Sequence, residues 1–125
     1  MQDFRKLRVW QDAIELAAAV YEVTSRLPNA ERYGLRAQTR SSAISVSSNI
    51  AEGCGRPTRK DMARFLGIAI GSICELESQI YVIARLDLLD EASTESLVVK
   101  TDRCKRQLIN LYRRVLAVSD TYHLP

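Results

Sequence analysis

The fold of this chain is decided by residues 58–86, which read TRKDMARFLGIAIGSICELESQIYVIARL. Apolar residues recur there at alternating steps of four and three, which places them on one face of an α-helix: Met62, Leu66, Ala69, Ile73, Leu76, Ile80 and Ile83. Beside them, a second and mostly small line widens the apolar arc: Ala63, Gly67, Ile70, Cys74 and Tyr81. We predict a long helix over 59–86 with Thr58 as its cap, either central to the fold or facing a partner chain.

Three further segments have helical periodicity, over about residues 7–26, 32–52 and 91–118. Pro28 ends the first, and Asp90 is a favourable N-cap for the last. Gly53 and Gly55, which can adopt left-handed conformations, are expected to end the second. Short connections favour antiparallel neighbours, and a period near 3.5 favours left-handed, near-aligned packing. We therefore predict one all-α domain over residues 1–125, an antiparallel up-down-up-down left-handed four-helix bundle.

Composition narrows the class of protein. A chain of 125 residues suits a single domain, and 46% hydrophobic residues supply a core. The three cysteines are far apart, which favours reduced thiols in a cytoplasmic protein. The apolar runs are shorter than the roughly 18 residues of a membrane span, so no membrane partner is expected.

Catalytic groups are scarce. The chain has a single histidine, His123, near its end, which leaves serine nucleophiles without a base and di-iron chemistry without ligands. Glu75 and Glu77 lie about 200° apart on a helix, where they cannot share one ion. We predict a protein that is not an enzyme, with no metal and no cofactor.

Basic residues cluster more than the net charge of +3 suggests. Residues 32–64 contain seven basic against two acidic side chains, and residues 100–114 contain six against one. Such clusters are typical of surfaces that contact phosphates. The candidate nucleic-acid-binding residues are Arg103, Lys105, Arg106, Arg113 and Arg114, followed by Arg32, Arg36 and Arg59. The alternative is a solvated helix face on a protein–protein interaction scaffold, whose functional surfaces are the wide apolar arcs of the first and third helices.

Several polar residues interrupt the second and third helices. Because an unpaired buried charge is costly, those that face inward should be paired. We expect a structural polar network, with Arg40 paired to Glu75 or Glu52, among these residues: Arg40, Asn49, Glu52, Glu75 and Gln79.

An ordered series of blocks resembles a known family. The blocks are Val9-Trp10-Gln11-Asp12-Ala13, then Tyr33-Gly34-Leu35 with Gln38, then Ser48-Asn49-Ile50-Ala51-Glu52-Gly53 with Gly55-Arg56, and finally Phe65-Leu66, Gly71-Ser72, Glu75, Glu77 and Gln79. They are similar to the four-helix-bundle proteins encoded in intervening sequences of bacterial 23S ribosomal RNA genes, over about residues 4–118. Two positions depart from the family pattern: Ser41 stands where a second arginine is common, and Ser47 where a proline is common.

The resemblance implies a homopentamer with a central channel. It also implies kinship with the accessory variability proteins of diversity-generating retroelements, which are basic pentamers that bind nucleic acid and a reverse transcriptase. For the intervening-sequence proteins themselves it implies no established biochemical activity. The expected partners are therefore other copies of the chain, RNA or DNA, and another protein.

Overall fold

The structure is a computed structural model that describes residues 2–122. Within that range the chain forms four α-helices and no strand. They are α1 (Arg8–Thr24), α2 (Leu35–Cys54), α3 (Arg59–Arg85) and α4 (Glu91–Tyr122), with short 3-10 turns at Phe4–Lys6 and Asn29–Glu31. The all-helical bundle predicted from the sequence is confirmed. His123 lies outside the described residues.

The third and fourth helices begin where side chains satisfy otherwise unpaired amides. The Thr58 hydroxyl accepts a hydrogen bond from the Asp61 amide at 3.1 Å, and the Asp90 carboxylate accepts one from the Ser93 amide at 2.9 Å. The second helix begins at Leu35 rather than near residue 32, because the chain after Pro28 first forms a 3-10 turn. The fourth continues to Tyr122, past the predicted end at 118.

Gly55 caps the end of α2, as predicted, although not in a left-handed conformation, whereas Gly53 has a different role from the predicted one. Neither Gly53 nor Gly55 has a positive φ, and the left-handed residue of the described chain is Asp87, at φ 55° in the α3–α4 loop. Gly53 lies inside α2, where an added Cβ would come within 3.2 Å of the Met62 carbonyl oxygen and of the Phe65 Cβ. A glycine is needed here because α2 and α3 touch, not because the helix stops.

The four helices form a closed ring in which each packs against two neighbours. Contacts between α2 and α3 pair residues in opposite order, because Ser42 donates to Glu75 at 3.0 Å while Ser45 meets Ser72 at 2.8 Å. The α1–α2 and α3–α4 contacts show the same reversal, which is the contact pattern of antiparallel helices: Tyr21 and Thr24 meet Arg40 and Arg36, and Gly67 and Glu77 lie against Tyr112 and Lys105. The left-handed twist of the bundle stays a prediction.

The third helix supplies the centre of the core. Its seven-residue apolar seam is buried throughout, and the side chains of Leu66, Ile73 and Leu76 are fully inaccessible. In the described chain, α3 is also the one helix long and apolar enough to cross a membrane, a test that the core helix of a bundle passes as well. Most of this seam lies in one buried cluster with residues of α1, α2 and α4, so α3 is central to the fold.

Candidate nucleic-acid interface

Arg36, a predicted phosphate contact, instead holds the end of α1. Its Nε donates to the Thr24 carbonyl at 3.0 Å, and its Nη2 donates to the Leu27 carbonyl at 2.6 Å. The last carbonyls of a helix have no donors within the helix, so a nearby guanidinium satisfies them. The Arg36 guanidinium therefore has acceptors inside the protein, and its contact with nucleic acid stays a prediction.

Arg40 joins the same helix end. Its Nε donates to the Thr24 hydroxyl and its Nη2 to the Tyr21 carbonyl, each at 3.0 Å. The guanidinium also lies 4.5 Å from the centre of the Tyr21 ring, a cation–π contact. The predicted pairing of Arg40 with Glu75 or Glu52 is wrong, because α1 already supplies its acceptors.

The remaining members of the predicted polar network bond locally. Glu75 accepts from Ser42 across the α2–α3 contact, and the Asn49 amide donates to the Ser45 carbonyl within α2. Glu52 is exposed, and the Gln79 Oε1 is buried without a hydrogen-bond partner. These residues do not form a single network; serines of α2 are the partners of Glu75 and Asn49.

Two of the basic residues predicted on α4 are held in ion pairs. The Lys105 ammonium lies 2.9 and 3.0 Å from the two oxygens of the Glu77 carboxylate, which joins α4 to α3 and raises the pKa of Lys105. Both side chains are only 23% exposed. Arg106 is much more exposed and pairs with Asp102, one turn away, at 2.9 Å. Lys105 is thus a link between helices and not an open phosphate contact.

Antiparallel packing brings separate basic segments to one end of the bundle. The start of α1, the end of α2, the start of α3 and the end of α4 meet there, and we call residues 2–12, 48–68 and 110–117 the basic end. It holds nine basic side chains: Arg5, Lys6, Arg8, Arg56, Arg59, Lys60, Arg64, Arg113 and Arg114. Four acidic side chains accompany them: Asp3, Asp12, Glu52 and Asp61. The rest of the chain holds nine basic against eleven acidic, so the positive charge of the protein is concentrated at this end.

One carboxylate organises part of the basic end. Asp61 accepts from the Nε of Arg56 at 2.6 Å and from the Nε of Arg64 at 3.0 Å, and these hydrogen bonds lower the pKa of Asp61. The same two guanidinium groups lie over the Phe65 ring, at 5.2 and 4.4 Å from its centre. Their side chains remain 39% and 59% exposed. The cluster therefore presents two positioned guanidinium groups to solvent with a net positive charge.

An open groove of about 480 Å³ lies between the start of α3 and the end of α4. Its lining is mostly apolar, and we call the residues Ala63, Gly67, Tyr112 and Leu116 its floor and the basic residues Lys60 and Arg64 its rim; Thr58 and Asp61 complete the lining. The groove exists because α3 carries small residues where it faces the Tyr112 ring. Tyr112 directly precedes Arg113 in the sequence, and the packing of α3 on α4 places its ring beside Gly67.

The structure separates the predicted binding residues into three groups. Arg59, Arg113 and Arg114 lie at the basic end, whereas Arg103, Lys105 and Arg106 lie further back along α4. Arg32 and Arg36 lie at the opposite end of the bundle. Six basic side chains at this end were not among the predicted binding residues, although the antiparallel topology could have placed them together: Arg5, Lys6, Arg8, Arg56, Lys60 and Arg64. Among residues 2–122, no group of three or more histidine, cysteine, aspartate or glutamate side chains is arranged to hold a metal ion.

The sequence profile of the 23S rRNA-intervening sequence protein family matches residues 5–110 of the chain. The protein belongs to this family. A crystal structure with the same fold is that of a protein of unknown function from the S23 ribosomal protein family of Bacteroides thetaiotaomicron VPI-5482. It has a TM-score of 0.78 and 22% sequence identity, over 84% of this chain and 95% of that chain. No curated protein matches the chain. The resemblance seen in the sequence blocks is confirmed at the level of the 23S rRNA-intervening sequence family.

Proposed function

We propose that this 23S rRNA-intervening sequence protein is a non-enzymatic, oligomeric protein that binds RNA or DNA through its basic end. The observation that carries the proposal is the collection of nine basic against four acidic side chains at one end of the bundle. Polyanions bind such a surface because each neutralised phosphate releases condensed counterions. Seven of the nine are arginines, whose planar guanidinium groups suit phosphate oxygens.

The proposed contacts are to the nucleic-acid backbone. The charges come from four helix termini rather than from one recognition helix, so they form a patch without a single element shaped for a groove. Backbone contacts of this kind position a protein without reading sequence. Binding should therefore be tolerant of sequence and strongly weakened by salt.

Charge reversal at the two ends of the bundle tests the proposal. Fluorescence anisotropy with a labelled RNA hairpin, from 50 to 200 mM salt, would compare Arg113→Glu/Arg114→Glu with Arg32→Glu/Arg85→Glu. All four side chains are exposed and both double variants change the net charge equally. We expect the first to weaken binding at least tenfold and the second at most threefold, with the salt slope reduced by about two in the first. Absence of wild-type binding at 50 mM salt, or equal losses in both variants, would overturn the proposal.

Oligomerisation is supported by a second surface. The α2–α3 face consists of exposed and mostly small residues on two touching helices: Ser41, Ile44 and Ser48 on α2, and Ile68, Gly71, Ser78 and Val82 on α3. Ile44, Ile68 and Val82 are each more than 40% exposed, and Glu75 is the charged residue among them. Small residues allow close approach, so another copy of the chain is the proposed occupant, and the resemblance implies five copies.

Light scattering at micromolar concentration would test the oligomer. We expect wild type to be multimeric and Ile68→Asp to shift it toward monomer, whereas Val99→Asp on α4, which is also exposed, should leave its mass unchanged. A monomeric wild type would overturn the assembly. A stable oligomer that binds no RNA or DNA at low salt would instead favour the interaction scaffold, for which the same α2–α3 face is the specific support.

A further inference from the structure

We infer that the groove between α3 and α4 holds an unpaired nucleotide, so that the protein prefers single-stranded to fully base-paired nucleic acid. The inference rests on the proposed function and assigns a ligand class to one part of the basic end. It starts from the combination of an apolar floor, an aromatic ring and a cationic rim in one groove.

The floor fits a flat, largely apolar group. Ala63 is buried and Gly67 has no side chain, so the ring of half-buried Tyr112 and the side chain of Leu116 supply the exposed lining. The volume of about 480 Å³ lies in the range of sites for small organic molecules, about 300–1,000 Å³. Bases that are splayed out of a strand stack on such rings, whereas bases inside a duplex cannot reach them.

Charge decides between a nucleotide and an apolar peptide as occupant. Lys60 and Arg64 line the groove, and Arg113 follows Tyr112 on the exposed side of α4. Asp61 also lines it, but its carboxylate is already bonded to two arginines. An anionic occupant would match the remaining positive charge, which an uncharged peptide would leave unpaired. A nucleotide supplies both the flat apolar group and the phosphate.

Gly67 allows the groove to be filled without disturbing the bundle. An added Cβ there would lie 3.7 Å from the Tyr112 Cε1, an ordinary van der Waals contact. Because glycine is a poor helix former, Gly67→Ala and Gly67→Leu should both keep α3 folded. The leucine would occupy the groove, and the alanine would intrude only slightly. Ala18→Leu places a leucine on the exposed face of α1, away from the groove, and is the matched control.

The experiment compares a labelled 12-nucleotide single strand with the same strand annealed to its complement, at equal salt. Duplex DNA carries the higher charge density, so charge alone would favour the duplex. We expect wild type and Ala18→Leu to bind the single strand about tenfold more tightly, which is on the order of one stacked base. Gly67→Leu should lose this preference and keep its duplex affinity, with Gly67→Ala in between.

Different results would overturn the groove inference and the proposed function. Equal binding of both probes by wild type, or an undiminished preference in Gly67→Leu, would overturn the groove inference and leave the proposed function standing. Failure of both probes to bind at 50 mM salt would overturn the proposed function, and the groove inference with it.

Discussion

Replacing Arg36 by methionine would remove two hydrogen bonds at the end of α1, one to the carbonyl of Thr24, its last residue, and one to the carbonyl of Leu27 just beyond it; the Thr24 carbonyl would keep its bond from the Leu27 amide. Hydrogen bonds with one charged partner contribute about 1.5–3 kcal/mol each when buried, and the Arg36 side chain is only half-buried. The Thr24 and Leu27 residues that supply the carbonyls are themselves buried, so water can replace the donors only in part. We therefore expect Arg36→Met to lower the free energy of unfolding by about 2–3 kcal/mol.

Thermal unfolding followed by circular dichroism, at one fixed protein concentration, would measure the effect. For a chain of this length 1 kcal/mol corresponds to about 4 °C, so Tm should fall by roughly 8–12 °C. Arg32→Met is the matched control. Arg32 is exposed, and its guanidinium carbon lies 5.4 Å from the centre of the Tyr33 ring. Its Tm should move by less than about 2 °C. A loss below about 2 °C in Arg36→Met, or equal losses in both variants, would refute the assignment of Arg36 to the helix end.

Three further predictions concern thiols, acid stability and a helix cap. A thiol reagent should modify exposed Cys74 well before Cys104, because burial raises the pKa of Cys104 to about 12. Peptide mass spectrometry would show the order of labelling, and earlier labelling of Cys104 would contradict the prediction. Since two arginines lower the pKa of Asp61, its stabilising effect is present above about pH 4 and is lost as pH falls through the lowered pKa. Asp61→Asn should therefore lower Tm at pH 7 by an amount that shrinks as the pH falls below about 4, and a pH-independent difference would count against the ion pairs. Thr58→Ala should cost about 1 kcal/mol in urea unfolding, and Thr58→Ser, which keeps the hydroxyl, should recover most of it.

The helices were predictable because each carries a periodic apolar line that only a buried helix face explains. The seam from Met62 to Ile83 is buried at every position. The role of Gly53 was misread because glycine has two uses, a left-handed turn and a close contact, and periodicity does not distinguish them. Only the position of Gly53 against the Met62 carbonyl shows which one applies.

The site was less predictable, because its charges are separated in sequence by up to about a hundred residues. Arg5 and Arg114 come to the same end only once the helices are antiparallel. The hydrogen-bond partner of each basic side chain is harder still to predict. Every helix ends in carbonyls that lack donors, so nothing local in the sequence says that Arg40 binds the Tyr21 carbonyl rather than Glu75. For Lys105 the deciding fact is the register of α4 on α3, which places Glu77 within 3 Å.

The uneven distribution of charge makes the protein an electric dipole along its helices. At 1.5 Å per residue α3 is about 40 Å long, several times the Debye length of about 8 Å at physiological salt. A polyanion or a chromatographic resin at one end is therefore screened from the acidic side chains at the other. The protein should adsorb end-on and elute from a cation exchanger later than its isoelectric point of about 8.9 suggests, because the resin meets the local charge rather than the sum.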